Sequence, residues 1–366
     1  MERFLIAVLL FVVGGPASAL ETSAGSLRVE AMATGLEEPW GIAFLPEGGV
    51  LITERDGRLR YFAGDGSDWE VSGVPEVVAD GQGGLLDIMV PRDFAQSREV
   101  FLSFAKPQRR REGTALAVGR LNPSGAALED VRVIFEMSRG SSGGRHFGSR
   151  IVEALDGTLF LTIGDRGERP SAQDLSVHNG SVIRINRDGS VPDDNPFLGQ
   201  DGALPEIWSY GHRNPQGADL DASGQLWVHE HGARGGDEVN RVVKAANFGW
   251  PVISYGTHYS GAKIGDGTSK EGMEQPVHYW DPSIAPSGLM IYSGALWPEW
   301  AGHFFAGSLK FDMISRLVPG GGGLEEVERI EGPETERVRD IVEAPDGSIW
   351  FLSVGRGAAY RVTPDG

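Results

Sequence analysis

The stretch Glu153-Ala154-Leu155-Asp156-Gly157-Thr158-Leu159-Phe160-Leu161-Thr162-Ile163 reads as an apolar segment, an Asp-Gly turn and a strand rich in aromatic and β-branched residues. The turn supplies a residue at ease with positive φ, which a tight hairpin requires. The same phrase returns as Phe44-Leu45-Pro46-Glu47-Gly48, Asp219-Leu220-Asp221-Ala222-Ser223-Gly224 and Glu343-Ala344-Pro345-Asp346-Gly347. Around these turns Gly41-Ile42-Ala43-Phe44, Gln225-Leu226-Trp227-Val228 and Ser348-Ile349-Trp350-Phe351-Leu352 have strand composition. Helical periodicity is not sustained anywhere at length. A degenerate repeat of antiparallel units predicts an all-β propeller, and about 40 to 60 residues per four-stranded blade predicts six blades. A sandwich or barrel with coincidental turns is disfavoured by 53 glycines in 366 residues. Gly320-Gly321-Gly322-Gly323 reads as a hairpin loop.

The N-terminus has a different grammar. Met1-Glu2-Arg3, the apolar run Phe4 to Val13 and Ala17-Ser18-Ala19 follow the pattern of a secretory signal peptide, so residues 1–19 are expected to be removed and 20–366 to form one catalytic propeller domain. A membrane anchor would need roughly 20 apolar residues, more than this run offers. The expected location is therefore periplasmic or secreted. With 33 Lys+Arg against 51 Asp+Glu, the formal charge of −18 repels nucleic acid and anionic membranes, so neither is an expected partner. The absence of cysteine removes disulfides, thiolate metal sites and cysteine nucleophiles.

Four segments could carry chemistry. Placing Leu155 opposite Thr158 across a two-residue turn sets Gly148 opposite Asp165 and brings His146 one diagonal step away. A carboxylate so placed orients an imidazole and raises its basicity for general-base work, though a purely structural His–Asp bond fits the spacing equally. In Trp208-Ser209-Tyr210-Gly211-His212-Arg213-Asn214-Pro215-Gln216-Gly217, Arg213 and Asn214 could polarise a carbonyl, or could simply be solvated loop residues. His229-Glu230-His231-Gly232-Ala233-Arg234-Gly235-Gly236-Asp237-Glu238 mixes acids with glycines in a way that suits a hard cation such as calcium. Its His-x-His pair is a weak zinc signal without a third ligand at the usual spacing. Arg337-Val338-Arg339-Asp340 sets two guanidinium groups on one side of a strand, a holder for a carboxylate ligand or an arginine ladder paired with Glu336 and Asp340.

Taken together, Gly143 to Arg150, Ile163-Gly164-Asp165-Arg166-Gly167, Pro192-Asp193-Asp194-Asn195-Pro196-Phe197, Trp208 to Gly217 and Glu230 to Asn240 resemble the soluble aldose sugar dehydrogenase branch of the glucose/sorbosone dehydrogenase family, from about Gly35 to about Arg361. The resemblance implies pyrroloquinoline quinone (PQQ) and Ca2+ as cofactors. It makes His146 the base that takes the sugar C1 hydroxyl proton and Asp165 its orienting acid. Arg213 and Asn214 match the pair at the quinone oxygens, Gln82 a further polar contact, and Lys310, Arg337 and Arg339 the cations for the cofactor carboxylates. Calcium is implied at the carbonyls of Gly232 and Ala233, and a second calcium at Glu238 and the carbonyl of Phe248. His231 stands where the glucose-specialised branch has glutamine, and Ala233 where it often has proline, differences that bear on substrate preference.

The implied function is oxidation of an aldose at C1 to the lactone, with a small-molecule sugar as substrate and an external electron acceptor. A calcium-dependent propeller lactonase and a non-catalytic glycan- or protein-binding propeller are the alternatives. Neither needs a general base together with cations for a polycarboxylate.

Overall fold

The computed structural model describes residues 18–365. The chain forms a six-bladed β-propeller of antiparallel sheets. The innermost strands, Pro39–Phe44, Leu85–Met89, Ile151–Glu153, Pro215–Leu220, Pro286–Ile291 and Val338–Glu343, pack side by side in a ring. Five blades have four strands. The sixth gains a fifth, because Gly25–Thr34 pairs with Ala358–Pro364 and Ser18–Thr22 adds outside it. The start of the chain thus completes the blade made by its end. The expected cleavage after Ala19 falls inside that outermost strand, and residues 1–17 lie outside the described residues. Leu20, the first residue of the expected mature chain, is buried in the apolar cluster that also holds Trp300 and Phe351.

Each blade is sandwiched between two neighbours, which explains why strands such as Leu159–Ile163 and Ile349–Ser353 are buried at every position rather than alternately. The apolar cores lie between blades. Leu51, Phe94 and Phe104 join the first two; Tyr292, Trp300, Phe305 and Phe351 join the fifth and sixth. Burying one such side chain stabilises by about 1.5–3 kcal/mol. Among the described residues, helix amounts to Phe94–Ser97 and three short 3-10 turns, and no helix is long and apolar enough to cross a membrane.

The repeated turns are hairpins, with one difference from the two-residue form. Ala154 N donates to Thr158 O and Gly157 N to Ala154 O, so three residues connect the strands, with Gly157 at φ +83°. Leu45–Gly49, Asp221–Gln225 and Ala344–Ser348 repeat the pattern. The extra residue favours a positive-φ glycine after an ordinary turn. It also shifts the register by one, so that Ile151 pairs with Leu161 and Glu153 with Leu159. Gly320 and Gly323 close the expected hairpin between Met313–Gly320 and Gly323–Glu331.

Inside the ring, Arg150 donates to Asp87 Oδ1 at 2.7 Å and approaches Asp340 Oδ1 at 3.0 Å. Asp340 Oδ2 in turn accepts from Ile42 N at 3.2 Å, so one charge cluster touches several blades. Burial pushes both carboxyl pKa values upward, and Arg150 opposes it. Arg150→Met would leave the two acids together without their cation. It is expected to lower the unfolding free energy by about 3–5 kcal/mol, read from urea denaturation.

Candidate functional site

The ends of the inner strands where they begin form the rim of a cavity of about 210 Å3. Trp40, Leu86, Phe147 and Leu309 give it apolar walls; Arg55, Arg337 and Arg339 give it positive charge. Three guanidinium groups converging in a chain of net charge −18 mark a place for an anionic ligand. Burial, followed by the positive neighbours Arg150, Arg337 and Arg55, pushes Arg339 down to about 9, so it remains charged at neutrality. Its Nη1 donates to Gln216 Oε1 and Ser287 Oγ. Arg337 is not part of the strand as strand alternation suggested. It precedes Val338 with φ +54°, and the ladder is irregular between Val338 and Asp340. Both side chains reach the cavity all the same.

Next to Gln82, Phe147 and Gly148 of this lining, His146 and Asp165 meet. His146 Nδ1 lies 2.6 Å from Asp165 Oδ1, and the imidazole is 14% exposed. The ladder register would not have produced this by itself. The chain leaves the sheet before Ile151, with positive φ at His146, Gly148 and Ser149, and folds the imidazole back over the acid. At Gly148 a side chain has no room, since a Cβ would stand 2.7 Å from Thr162 O. Gln82 Oε1 accepts from His146 N at 2.7 Å, and Asn214 Oδ1 accepts from Gly148 N at 3.2 Å, fixing the strained loop.

Burial lowers the His146 pKa, Asp165 opposes it, and Arg213 and Arg145 add to the lowering. The imidazole is therefore neutral at pH 7, with Nδ1–H held by the acid and Nε2 left to accept a proton. Burial would raise Asp165, but His146, the Gly167 N–H at 2.7 Å and Arg213 outweigh it and keep the acid ionised. Arg213 stacks over Trp250 at 5.3 Å and donates through Nη1 to His231 O at 3.1 Å. Its buried Nε has no protein partner.

Next to Arg213, Glu230, His231, Gly232, Gly236, Glu238 and Phe248 enclose a void of about 10 Å3, room for one water or one ion. Glu230 and Glu238 stand directly opposite on paired strands, an arrangement that like charges disfavour unless a cation lies between them. At Gly232 the chain turns so tightly that a Cβ would stand 2.3 Å from the carbonyls of both Gly235 and Gly236. Ala233 is buried on this turn beside Trp250. Among the described residues no three His, Asp or Glu side chains converge as a metal cage, so a cation here would lean on main-chain carbonyls. Each histidine bonds a carbonyl through Nε2 at 2.9 Å, His229 that of Gly288 and His231 that of Pro286, and His231 also lines both cavities.

Lys310 is exposed; its Nζ donates to Ser283 O at 3.0 Å and lies over Phe311, and it does not line the cavity. Arg55, which the sequence reading passed over between two acids, lines it instead and is held by Glu38 and the carbonyls of Gly81 and Gly83. Ser209, His212 and Glu230 form a serine–histidine–carboxylate chain, with both links at 2.9 Å. All three are buried, so no substrate reaches the serine, and the chain serves to fix Glu230.

The family model described as Glucose / Sorbosone dehydrogenase matches residues 36–361. The chain belongs to the glucose/sorbosone dehydrogenase family. As a member it is an oxidoreductase of the sugar dehydrogenase class. It is 42% identical over 354 residues to the aldose sugar dehydrogenase YliI of Escherichia coli, covering 95% of each chain. It is 30% identical over 307 residues to quinoprotein glucose dehydrogenase B of Acinetobacter calcoaceticus, covering 75% of this chain and 62% of the relative. Among solved structures, the apo form of the E. coli soluble aldose sugar dehydrogenase aligns with a TM-score of 0.88 at 41% identity, over 92% of this chain and 99% of the other. The PQQ-bound form of the aldose sugar dehydrogenase of Streptomyces coelicolor aligns with a TM-score of 0.76 at 25% identity, over 92% and 98%.

The paired glutamates yield a prediction that needs no ligand. Burial, reinforced by Glu230, pushes Glu238 up to about 8, above the ordinary value of about 4.3. The folded, cation-free protein therefore holds a proton that the unfolded chain releases, and stability is lost as pH rises through that interval. In chelator, Glu238→Gln is expected to melt with the unsubstituted protein near pH ~4 and above it near pH ~8.5. Calorimetry at both pH values checks this.

Proposed function

We propose that the protein oxidises aldose sugars at C1 to the lactone, with PQQ held in the arginine-lined cavity and calcium held beside it. The observation that carries the reading is the adjacency of a neutral, acid-oriented imidazole to a cavity ringed by Arg55, Arg337 and Arg339. When bound, the quinone supplies the acceptor for the C1 hydride and its two electrons. The residues present suit such a guest. Arg55, Arg337 and Arg339 match a polycarboxylate, and the buried Arg213 Nε lacks an acceptor that a bound oxygen would provide. A lactonase would have no use for these cations, and a passive binding propeller none for the base.

The chain's own part is acid–base and positional. His146 Nε2 takes the C1 hydroxyl proton as the C1–H bond breaks, and Asp165 holds the ring and stabilises the imidazolium that forms. Arg213 and Asn214 would hold the quinone oxygens, where a guanidinium stabilises developing negative charge. Calcium is assigned to the carbonyls of Gly232 and Ala233, with a second ion at Glu238 and the Phe248 carbonyl. The electrons then leave to an external acceptor. We also assign the mature chain, starting near Leu20, to the periplasm or the medium on the strength of the leader pattern.

Dye reduction by a panel of aldoses, with PQQ and calcium added separately and together, tests this reading. Activity is expected only with both. Sugar-dependent reduction after exhaustive removal of both would overturn it, and quinone-free lactone hydrolysis would favour the lactonase. His146→Ala is expected to cut turnover about 10²- to 10⁴-fold with PQQ still bound. Because the His146 pKa is lowered, kcat/KM should rise with pH below about 6.5 and level off above it. Arg339→Ala should instead weaken PQQ binding by about 1.5–3 kcal/mol while leaving turnover of the loaded enzyme comparatively intact, read from PQQ titration.

A further inference from the structure

Asp165 uses both of its oxygens. Oδ1 accepts from Gly167 N at 2.7 Å and faces His146 Nδ1 at 2.6 Å, while Oδ2 accepts from the indole Nε1–H of Trp250 at 2.8 Å. That indole is buried, and the residue bearing it is tied down through its main chain. Its main-chain N donates to Gly211 O at 2.8 Å, and its carbonyl accepts from Gln173 Nε2 at 2.8 Å. Arg213 lies 5.3 Å and Arg169 5.8 Å from its ring, and Arg169 is tied in turn to His258 at 2.8 Å. The ring also closes the small void beside Glu230 and Glu238.

We infer that Trp250 is a positioning residue for the proton-taking dyad: its N–H fixes the carboxylate plane of Asp165 and withdraws charge from it, setting both the orientation and the basicity of His146. The inference rests on His146 being the base. A buried indole N–H requires an acceptor, and a carboxylate bound through both oxygens cannot rotate about its Cβ–Cγ bond to release the imidazole. Each donor to a carboxylate also reduces the charge left to stabilise a neighbouring imidazolium. The charged groups facing His146 are Asp165, Arg213 and Arg145, with His231 nearby; those facing Asp165 are His146, Arg213 and Arg166.

The test is Trp250→Phe, which keeps an aromatic ring and deletes the donor. In the cofactor-free protein the His146 midpoint, followed by NMR of its Cε1–H, is expected to move up by about 0.5–1 unit. In the PQQ-loaded enzyme the acidic limb of kcat/KM should move the same way, with turnover falling on the order of 10-fold. A lower melting temperature with an unchanged His146 midpoint would overturn the inference and leave Trp250 a core residue. If Trp250→Phe does not fold, the link is read in the unsubstituted protein. One indole N–H resonance among its nine tryptophans should shift with the His146 midpoint, and Asp165→Asn should abolish that movement. No such resonance overturns the inference as well. The titration needs neither sugar nor quinone, so a fully active His146→Ala enzyme would defeat the catalytic reading while leaving the indole's hold on the dyad measurable.

Discussion

The strand Gly25–Thr34, from the start of the chain, pairs with Ala358–Pro364 from its end, and that pairing closes a ring that six hairpin-connected blades would otherwise leave open. Closure covers the faces that the first and sixth blades would otherwise expose and buries apolar side chains between neighbouring blades. The functional cavity depends on it, because its lining comes from around the whole ring. Arg55 follows a strand of the first blade, Gln82 and Phe147 come from loops flanking the second, Asn214 and Gln216 from the start of the fourth, and Arg337 and Arg339 from the sixth. Arg150, bound to both Asp87 and Asp340, is the electrostatic counterpart of closure in the interior.

Charge is distributed with equal economy. The chain is acidic as a whole, yet the cavity gathers guanidinium groups; burial, then their mutual repulsion, lowers Arg339, and Glu38 pairs with Arg55 alone. Such a pocket is costly when empty and suits a ligand carrying several negative charges. Buried carboxyls show how environment divides labour. Asp219, with only the N–H groups of Ile291 and Leu220 to satisfy it, is pushed by burial to about 7. Asp165, more fully buried, has His146, Gly167 and Trp250 as donors and Arg213 nearby, and stays ionised. The difference lies in the donors and positive charges each acid finds, and it separates an acid able to orient a base from one whose pKa is raised.

The local grammar of the chain was legible. Apolar runs broken by Asp-Gly, Ser-Gly and Pro-Glu-Gly turns fixed the strands, their repetition fixed the propeller, and the hairpin through Asp156-Gly157 set His146 and Asp165 at the same end of it. The exact register was not legible. Whether the connection holds two residues or three depends on the conformation of the glycine, and the three-residue form moved every pair by one. The His–Asp contact survived because the loop bearing His146 leaves the ladder altogether.

What the sequence determined by itself was whatever is set by neighbours along the chain: strand and turn positions, the placing of His146 and Asp165 at one end of a hairpin, the arginines flanking Val338, and an acidic net charge. The tertiary structure alone decided that Arg55 rather than Lys310 lines the cavity, that the indole of Trp250 reaches Asp165 from 85 residues away, and that the first strand seals the last blade. Those contacts join segments whose separation is fixed by the angle and packing of whole blades. The apolar cores that set these angles are assembled from residues of two blades at once, so no single stretch of sequence contains the information.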